Sequence, residues 1–241
     1  VALPIGLLLA GLVAAVFSVV IGIPALRLRG DYLAIITLGF GEIIRVVANN
    51  LDFIGGAQGL SGIPSPDKLT LFLYSSVLVI LAVFLMFTFG RSRHGRAVIS
   101  IREDEIAAES SGVNTTYYKL MAFVLAAFLA GIAGGLYAHH VGMVDPSKYD
   151  FNRSVEILIM VVLGGMGSIT GSVISASVLT LLPEMLRDFY DFRMLIYAIV
   201  LILVMLLTNS PFFQDLRGQL QSKLRDRAVA KADAKGGSGH E

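Results

Sequence analysis

The 241-residue chain contains no cysteine and no tryptophan. Without cysteine there is neither a disulfide framework nor a thiolate metal site. Without tryptophan, the aromatic belt that marks a membrane–water boundary falls to tyrosine. Charge is scarce as well: 15% of the residues are charged, against about 25% in an average soluble domain. The formal net charge of +1 supplies no bulk attraction for nucleic acid, and no nucleic-acid partner is expected. No Gly-x-x-x-x-Gly-Lys-Ser/Thr phosphate loop occurs, and no nucleophile–base set is recognisable. The chain is therefore not expected to be an enzyme or to bind a cofactor; if ATP drives it, another chain hydrolyses the ATP. His139-His140 resembles a metal pair, but neighbours on a helix point about 100° apart, whereas helical ligands prefer i and i+4. No metal site is expected.

What is present is apolar: 55% of residues, with a mean hydropathy of +0.75. The apolar residues form long runs and the charges cluster between them, the pattern of helices lying in lipid. The runs are Leu3 to Leu26, Tyr32 to about Ala48, Leu69 to Phe89 and Leu120 to Ala138. Tyr32, Tyr74, Tyr117, Tyr118, Tyr137, Tyr149 and Tyr190 lie near run ends, where a belt would put them. The expected fold is all-α, a polytopic transmembrane bundle. Its membrane domain covers 1–212, with a cytoplasmic loop at 90–116 inside it and a cytoplasmic polar tail at 213–241 that is expected to be disordered at its end, Lys231 to Glu241. In the fourth run Ala126, Ala130 and Gly134 recur every four residues, a small-residue face suited to close helix packing. Val1 opens directly into an apolar stretch without a basic leader, so upstream segments are expected.

The stretch from Val155 to Leu182 is apolar but broken by Gly164-Gly165-Met166-Gly167-Ser168-Ile169-Thr170-Gly171. It reads either as one long helix with a loose middle or as two short helices meeting at a bend. Irregular backbone at membrane depth is tolerated only when buried in protein or lining a cavity. Positive charge decides the crossing count, because cytoplasmic ends collect Lys and Arg. Arg91, Arg93 and Arg96 place the end of the third run inside, which puts the loop at Asp145 to Tyr149 outside. Arg217, Lys223, Arg225, Arg227, Lys231 and Lys235 place the tail after the last run, Met194 to Leu207, inside. An odd number of crossings must lie between, and only a re-entrant hairpin supplies it. The loop from Glu184 to Arg193 is then external, as is Asn49 to Lys68, while Arg27 and Arg29 are internal.

Glu42 and Arg45 lie three apart on one helical face. They either line a translocation path or form an intrahelical ion pair that fixes packing. Glu156 reads as a solvated helix start. Gly164, Gly165, Gly167, Ser168 and Thr170 are the other candidates for the path, since a bend frees backbone groups that a polar solute can meet.

The segment from Arg93 to Lys119 carries the most specific pattern. A short polar helix, a glycine stop at Gly112 and an Asn114-Thr115-Thr116 restart describe a helix between two spans. Gly95-Arg96-Ala97, Ile101-Arg102-Glu103-Asp104-Glu105, Ala107-Ala108-Glu109 and Gly112 resemble the cytoplasmic loop of branched-chain amino acid ABC importer permeases of the LivM type. Further likenesses follow in order: Arg29 to Ile35, Thr37-Leu38-Gly39, Gly41-Glu42-Ile43, Gly55-Gly56, Ala130 to Gly134, Leu136-Tyr137-Ala138 and Gly164 to Ser168. One departure stands out: importer loops begin Glu-Ala-Ala, and Ile106 occupies the Glu position here.

The resemblance implies a multi-pass permease of the bacterial inner membrane, in contact with lipid. It implies a second homologous permease subunit, two ATP-binding cassette subunits holding ATP and magnesium, and a periplasmic or lipid-anchored substrate-binding protein. The implied substrates are leucine, isoleucine and valine, with urea or short amides as the alternative. Arg102, Glu103, Glu105, Ala107, Ala108, Glu109 and Gly112 are the implied contacts to the ATPase. The rival class is an ATP-independent channel or secondary carrier, which would need no such docking helix.

Overall fold

The computed structural model describes residues 3–28 and 30–185. Arg29, the Met194 to Leu207 run, the tail at 213–241 and most of the loop expected to be external after Glu184 lie outside the described residues. The described part is helical, and the four apolar runs become the four helices long and apolar enough to cross a membrane. These are α1 (Leu3–Ala25), α2 (Asp31–Asn50), α3 (Lys68–Arg91) and α6 (Thr115–Val141). Between α3 and α6 lie α4 (Arg93–Glu103) and α5 (Glu105–Ser110). The last two are α7 (Phe151–Gly164) and α8 (Ile169–Met185). The chain divides into two compact units, 1–156 and 157–241.

In the first unit the main packing is α1 against α6. The pair is antiparallel: Gly22 of α1 meets Leu120 and Phe123, Gly11 meets Phe128 and Ile132, and Leu7 meets Gly135. Lipid-embedded helices gain little from apolar transfer, so van der Waals contact between small residues holds them together. A methyl group added at Gly131 would lie 2.6 Å from the Ala10 carbonyl oxygen. The contact face therefore runs through Gly131 and Gly135, not through the expected Ala126, Ala130 and Gly134. Ala126 and Ala130 are exposed, and Gly134 has open space at its Cα. Two neighbouring helical faces, about 100° apart, are both rich in small residues, and spacing alone does not distinguish them.

The polar segment 92–114 is built by caps. Ser92 Oγ accepts a hydrogen bond from the Gly95 N–H at 3.0 Å and starts α4. A side chain at Gly95 would strike the Phe89 carbonyl, so the corner between α3 and α4 requires glycine. The single helix expected across Arg102 to Glu109 is in fact two. Asp104, in extended conformation, ends α4, and its carboxylate accepts from the N–H groups of Ile106 and Ala107 at 2.9 and 3.0 Å to begin α5. Aspartate competes well for backbone donors and so favours caps over helix interiors. Gly112 follows with φ +82°, and Asn114 Oδ1 caps α6 by accepting from Tyr117 N–H at 3.0 Å.

At the opposite end of these helices, the 51–67 loop and the 142–150 loop meet. A two-residue strand β1 (Leu60–Ser61) pairs antiparallel with β2 (Met143–Val144). His139 Nδ1 lies 2.8 Å from the Pro64 carbonyl oxygen, and Ser65 Oγ donates to the His139 carbonyl. Both loops were assigned to one side of the membrane from charge, and they occupy one end of the unit.

Candidate functional site

The glycine-rich break is a hairpin. Gly164 and Gly171 face each other so closely that a methyl group on Gly164 would lie 2.6 Å from backbone atoms of Gly171 and Ser172. Four residues further along each arm, Ser175 Oγ donates to the Met160 carbonyl. Both pairings are symmetric about the 167–168 bond, as an antiparallel helical hairpin requires. A single long helix is excluded. The turn uses Gly165 at φ +90° and Gly167 at φ +91°, a region that β-carbon sterics close to other residues. Ser168 Oγ accepts from the Gly171 N–H at 3.1 Å and lies 3.4 Å from Thr170 Oγ1. The arms hold 14 and 17 residues. At 1.5 Å per residue the described parts of the arms reach about 21 and 26 Å.

Ser168 and Thr170 thus sit at the tip, at the start of α8, with Met166 strongly exposed beside them. The tip offers hydroxyls and turn backbone groups to a polar solute. Ser175 and Met160 were not singled out in the sequence. Only their equal distance from the turn centre could have identified them.

Glu42 and Arg45 are brought together with each other. Arg45 Nη2 donates to Glu42 Oε2 at 2.6 Å and Nε to the same oxygen at 2.8 Å. The intrahelical pair is the arrangement found, and both side chains remain partly exposed. Arg45 also acts on Asp150, a loop residue that the sequence reading passed over. The Arg153 backbone N–H and the Asn152 side chain donate to Asp150, and Arg45 adds positive potential; together they hold its carboxyl below the usual range. Glu156, expected to be solvated, pairs with Arg153 at 2.5 Å. Burial, and to a lesser extent the neighbouring Tyr137, push the Tyr149 phenol above its ordinary value; Arg153 partly offsets this.

In the helical loop, the acidic residues expected to face an ATPase divide into two classes. Glu105 bonds Lys119 of α6 at 2.7 Å, with both groups largely covered. Glu103 pairs with its neighbour Arg102 at 2.6 Å in the open. Ala108 is buried under α5, while Ile106 on the same short helix is 69% exposed. Ala107 is exposed, and Gly112 terminates the element. Lys119 was missed, because it reads as the polar start of a span. Among the described residues no cluster of three or more His, Asp or Glu is placed to hold a metal.

Comparison with known proteins places this geometry in context. Residues 1–208 match a family model described as the permease component of the branched-chain amino acid transport system. The high-affinity branched-chain amino acid transport system permease protein LivM of Salmonella typhimurium is 38% identical over 247 residues, covering 89% of this chain and 58% of that protein. LivM of Escherichia coli is 37% identical with the same coverage. LivH of Escherichia coli, a permease protein of the same transport system, is 32% identical over 134 residues, 54% of this chain and 43% of LivH. The chain spans 58% of the length of the LivM proteins it matches. No solved structure matches it.

Proposed function

Because the chain belongs to the branched-chain amino acid transport permease family, we propose that it is a membrane-spanning permease subunit of an ATP-binding cassette importer. Its cargo is leucine, isoleucine and valine, carried across the bacterial inner membrane by ATP hydrolysis on partner subunits. The observation that carries this reading is the capped α4–α5 segment. Two helices, each begun by a side-chain cap and one tied to α6 by Glu105–Lys119, form a fixed projection between two spans. A projection of defined shape can transmit force from a partner, whereas a flexible loop cannot. The partners are two ATP-binding cassette subunits with ATP and magnesium, a second permease of the LivH kind, and an external substrate-binding protein.

The hairpin supports a role on the translocation path. The arms turn back at Gly164–Gly171, and the turn exposes polar groups that lipid does not satisfy. A zwitterionic amino acid can bond to such groups, with its carboxylate toward the N-terminal end of α8. Glu42 and Arg45 satisfy each other. Their role near the path is to shape α2 rather than to bind cargo.

The deciding experiment is co-purification from the native host followed by uptake of radiolabelled leucine, isoleucine, valine and urea. An ATPase subunit should accompany the chain, and uptake of the three amino acids should stop when its ATP site is inactivated. Uptake that persists without ATP hydrolysis would identify a carrier or channel, and uptake confined to urea or an amide would replace the substrate. Sidedness is tested separately, since the chain has no cysteine background. In intact cells an impermeant maleimide should label Ser61→Cys and spare Ser110→Cys. The reverse pattern would invert the orientation.

A further inference from the structure

Between the first turns of α3 and the last turns of α6 lies a half-open cleft of about 810 Å³. Its α3 wall is Lys68, Leu71, Phe72 and Ser75, at i, i+3, i+4 and i+7, one stripe of the helix. Its α6 wall is Ala133, Leu136, Tyr137 and His140, with the same spacing. The two helices run in opposite directions, so Lys68 and His140 share the loop end, and Ser75 and Ala133 share the deep end. Seven residues of helix make the groove about 10 Å long. The loop end is fixed by the Ser65 bond to the His139 carbonyl and by the His139 contact with Pro64. Asp67 stands at the same mouth. It is the N-cap of α3, makes no side-chain capping bond, and lines the cleft together with Lys68.

A charged mouth bearing both signs above an apolar, lipid-accessible trough is complementary to a zwitterionic amphiphile. An amino acid is also a zwitterion, but a groove about 10 Å long runs well beyond the reach of one amino-acid side chain. The apolar walls continue for two helical turns, which suits an acyl chain. We propose that this cleft holds a zwitterionic phospholipid of the leaflet on the loop side. Its phosphate meets Lys68 and His140, its ammonium meets Asp67, and one acyl chain lies between Leu71, Phe72, Leu136 and Ala133. Phospholipid bound there would wedge α3 from α6, which otherwise scarcely touch.

The test uses the full chain purified in mild detergent, delipidated, and titrated with phosphatidylethanolamine under native mass spectrometry. One lipid per chain is expected for the parent protein. Ala133→Phe, which fills the deep end, and Lys68→Glu, which reverses the phosphate contact, should each weaken binding at least tenfold. Val77→Phe, on the exposed side of α3 opposite the groove, should leave it unchanged. Monodisperse elution and unchanged helical circular dichroism are required of every variant. If Ala133→Phe does not accumulate, Ser75→Leu narrows the same end and carries the same expectation. Binding unaffected by both groove variants, equal binding of phosphatidylglycerol, or displacement by excess L-leucine would each overturn the proposal.

Discussion

The α1–α6 pair and the α7–α8 hairpin are both antiparallel helix pairs closed by glycine, yet they tolerate change differently. In α1–α6 the contact glycines other than Gly131, which lies against the Ala10 carbonyl, meet movable side chains: Leu120 and Phe123 at Gly22, Phe128 and Ile132 at Gly11, Leu7 at Gly135. Side chains can rotate away at modest cost. In the hairpin the neighbours of Gly164 and Gly171 are backbone atoms on both sides. Backbone cannot yield without moving a helix. The first pair is a contact with give, the second a contact without it.

The comparison is broken most severely at Gly171. A methyl group there would overlap the Gly164 carbonyl oxygen, so Gly171→Ala must spread the arms and strain the Ser175–Met160 bond. The loss should reach about 3 kcal/mol, the upper end of overpacking costs. The measurement is membrane yield and thermal melting of the purified chain. A parent-like melting temperature would show that the arms do not depend on this contact.

Next in size are Gly165→Val and Gly167→Val. Gly165 is not crowded as Gly164 is, and both Gly165 and Gly167 have positive φ, which costs a β-branched residue roughly 1–2 kcal/mol. The expectation is membrane yield near parental with uptake lowered at least tenfold, because bulk is added at the tip. Normal uptake at normal yield would remove the tip from the path.

Much of this was legible in advance. The four spans follow from apolar run length, and the hairpin follows from counting crossings between basic clusters. Gly112 and Asn114 mark their own roles, because few residues suit a left-handed stop or an N-cap. The split at Asp104 was hidden in a run of charged residues, where one good cap looks like any other acid. The α6 contact face was misplaced by one residue, since Ala130 and Gly131 are equally small. Partners far apart in sequence, such as Glu105 with Lys119 and His139 with Pro64, depend on how helix ends meet, which periodicity does not encode.

A smaller effect separates the two acids of the helical loop. Glu105 is largely covered and bonds Lys119, whereas Glu103 is exposed beside Arg102. Exposed pairs contribute about 0–1 kcal/mol, so Glu103→Lys should scarcely change the melting temperature of the isolated chain. Glu105→Lys opposes two ammonium groups and shifts α5, and uptake should fall several-fold. Adding Lys119→Glu should recover most of it, a coupling that a double-mutant cycle measures directly. No recovery in the double variant would mean that Glu105 acts on a partner rather than on α6.

The smallest effect is expected at Gly134, and it bears on how α6 uses its glycines. Gly131 and Gly135 face α1 at close range, while Gly134, next to Gly135 in sequence, has nothing within 4 Å. Alanine exceeds glycine in helix propensity by about 1 kcal/mol, and no neighbour opposes the methyl group at Gly134. Gly134→Ala should therefore leave the melting temperature unchanged or slightly raised. Gly131→Ala meets the Ala10 carbonyl at 2.6 Å and Ala14 Cβ at the same distance, so it should lower the melting temperature despite the same propensity gain. The pair of variants shares chemistry, helix and near-identical depth, and differs only in which way the new methyl points. If Gly134→Ala proves as damaging as Gly131→Ala in the isolated chain, the contact face of α6 has been assigned to the wrong side. If it is silent in the isolated chain but lowers the melting temperature of the assembled transporter, the open face bearing Ala126, Ala130 and Gly134 is covered by another subunit. The sequence pattern that misled about α1 would then have marked a second helix contact.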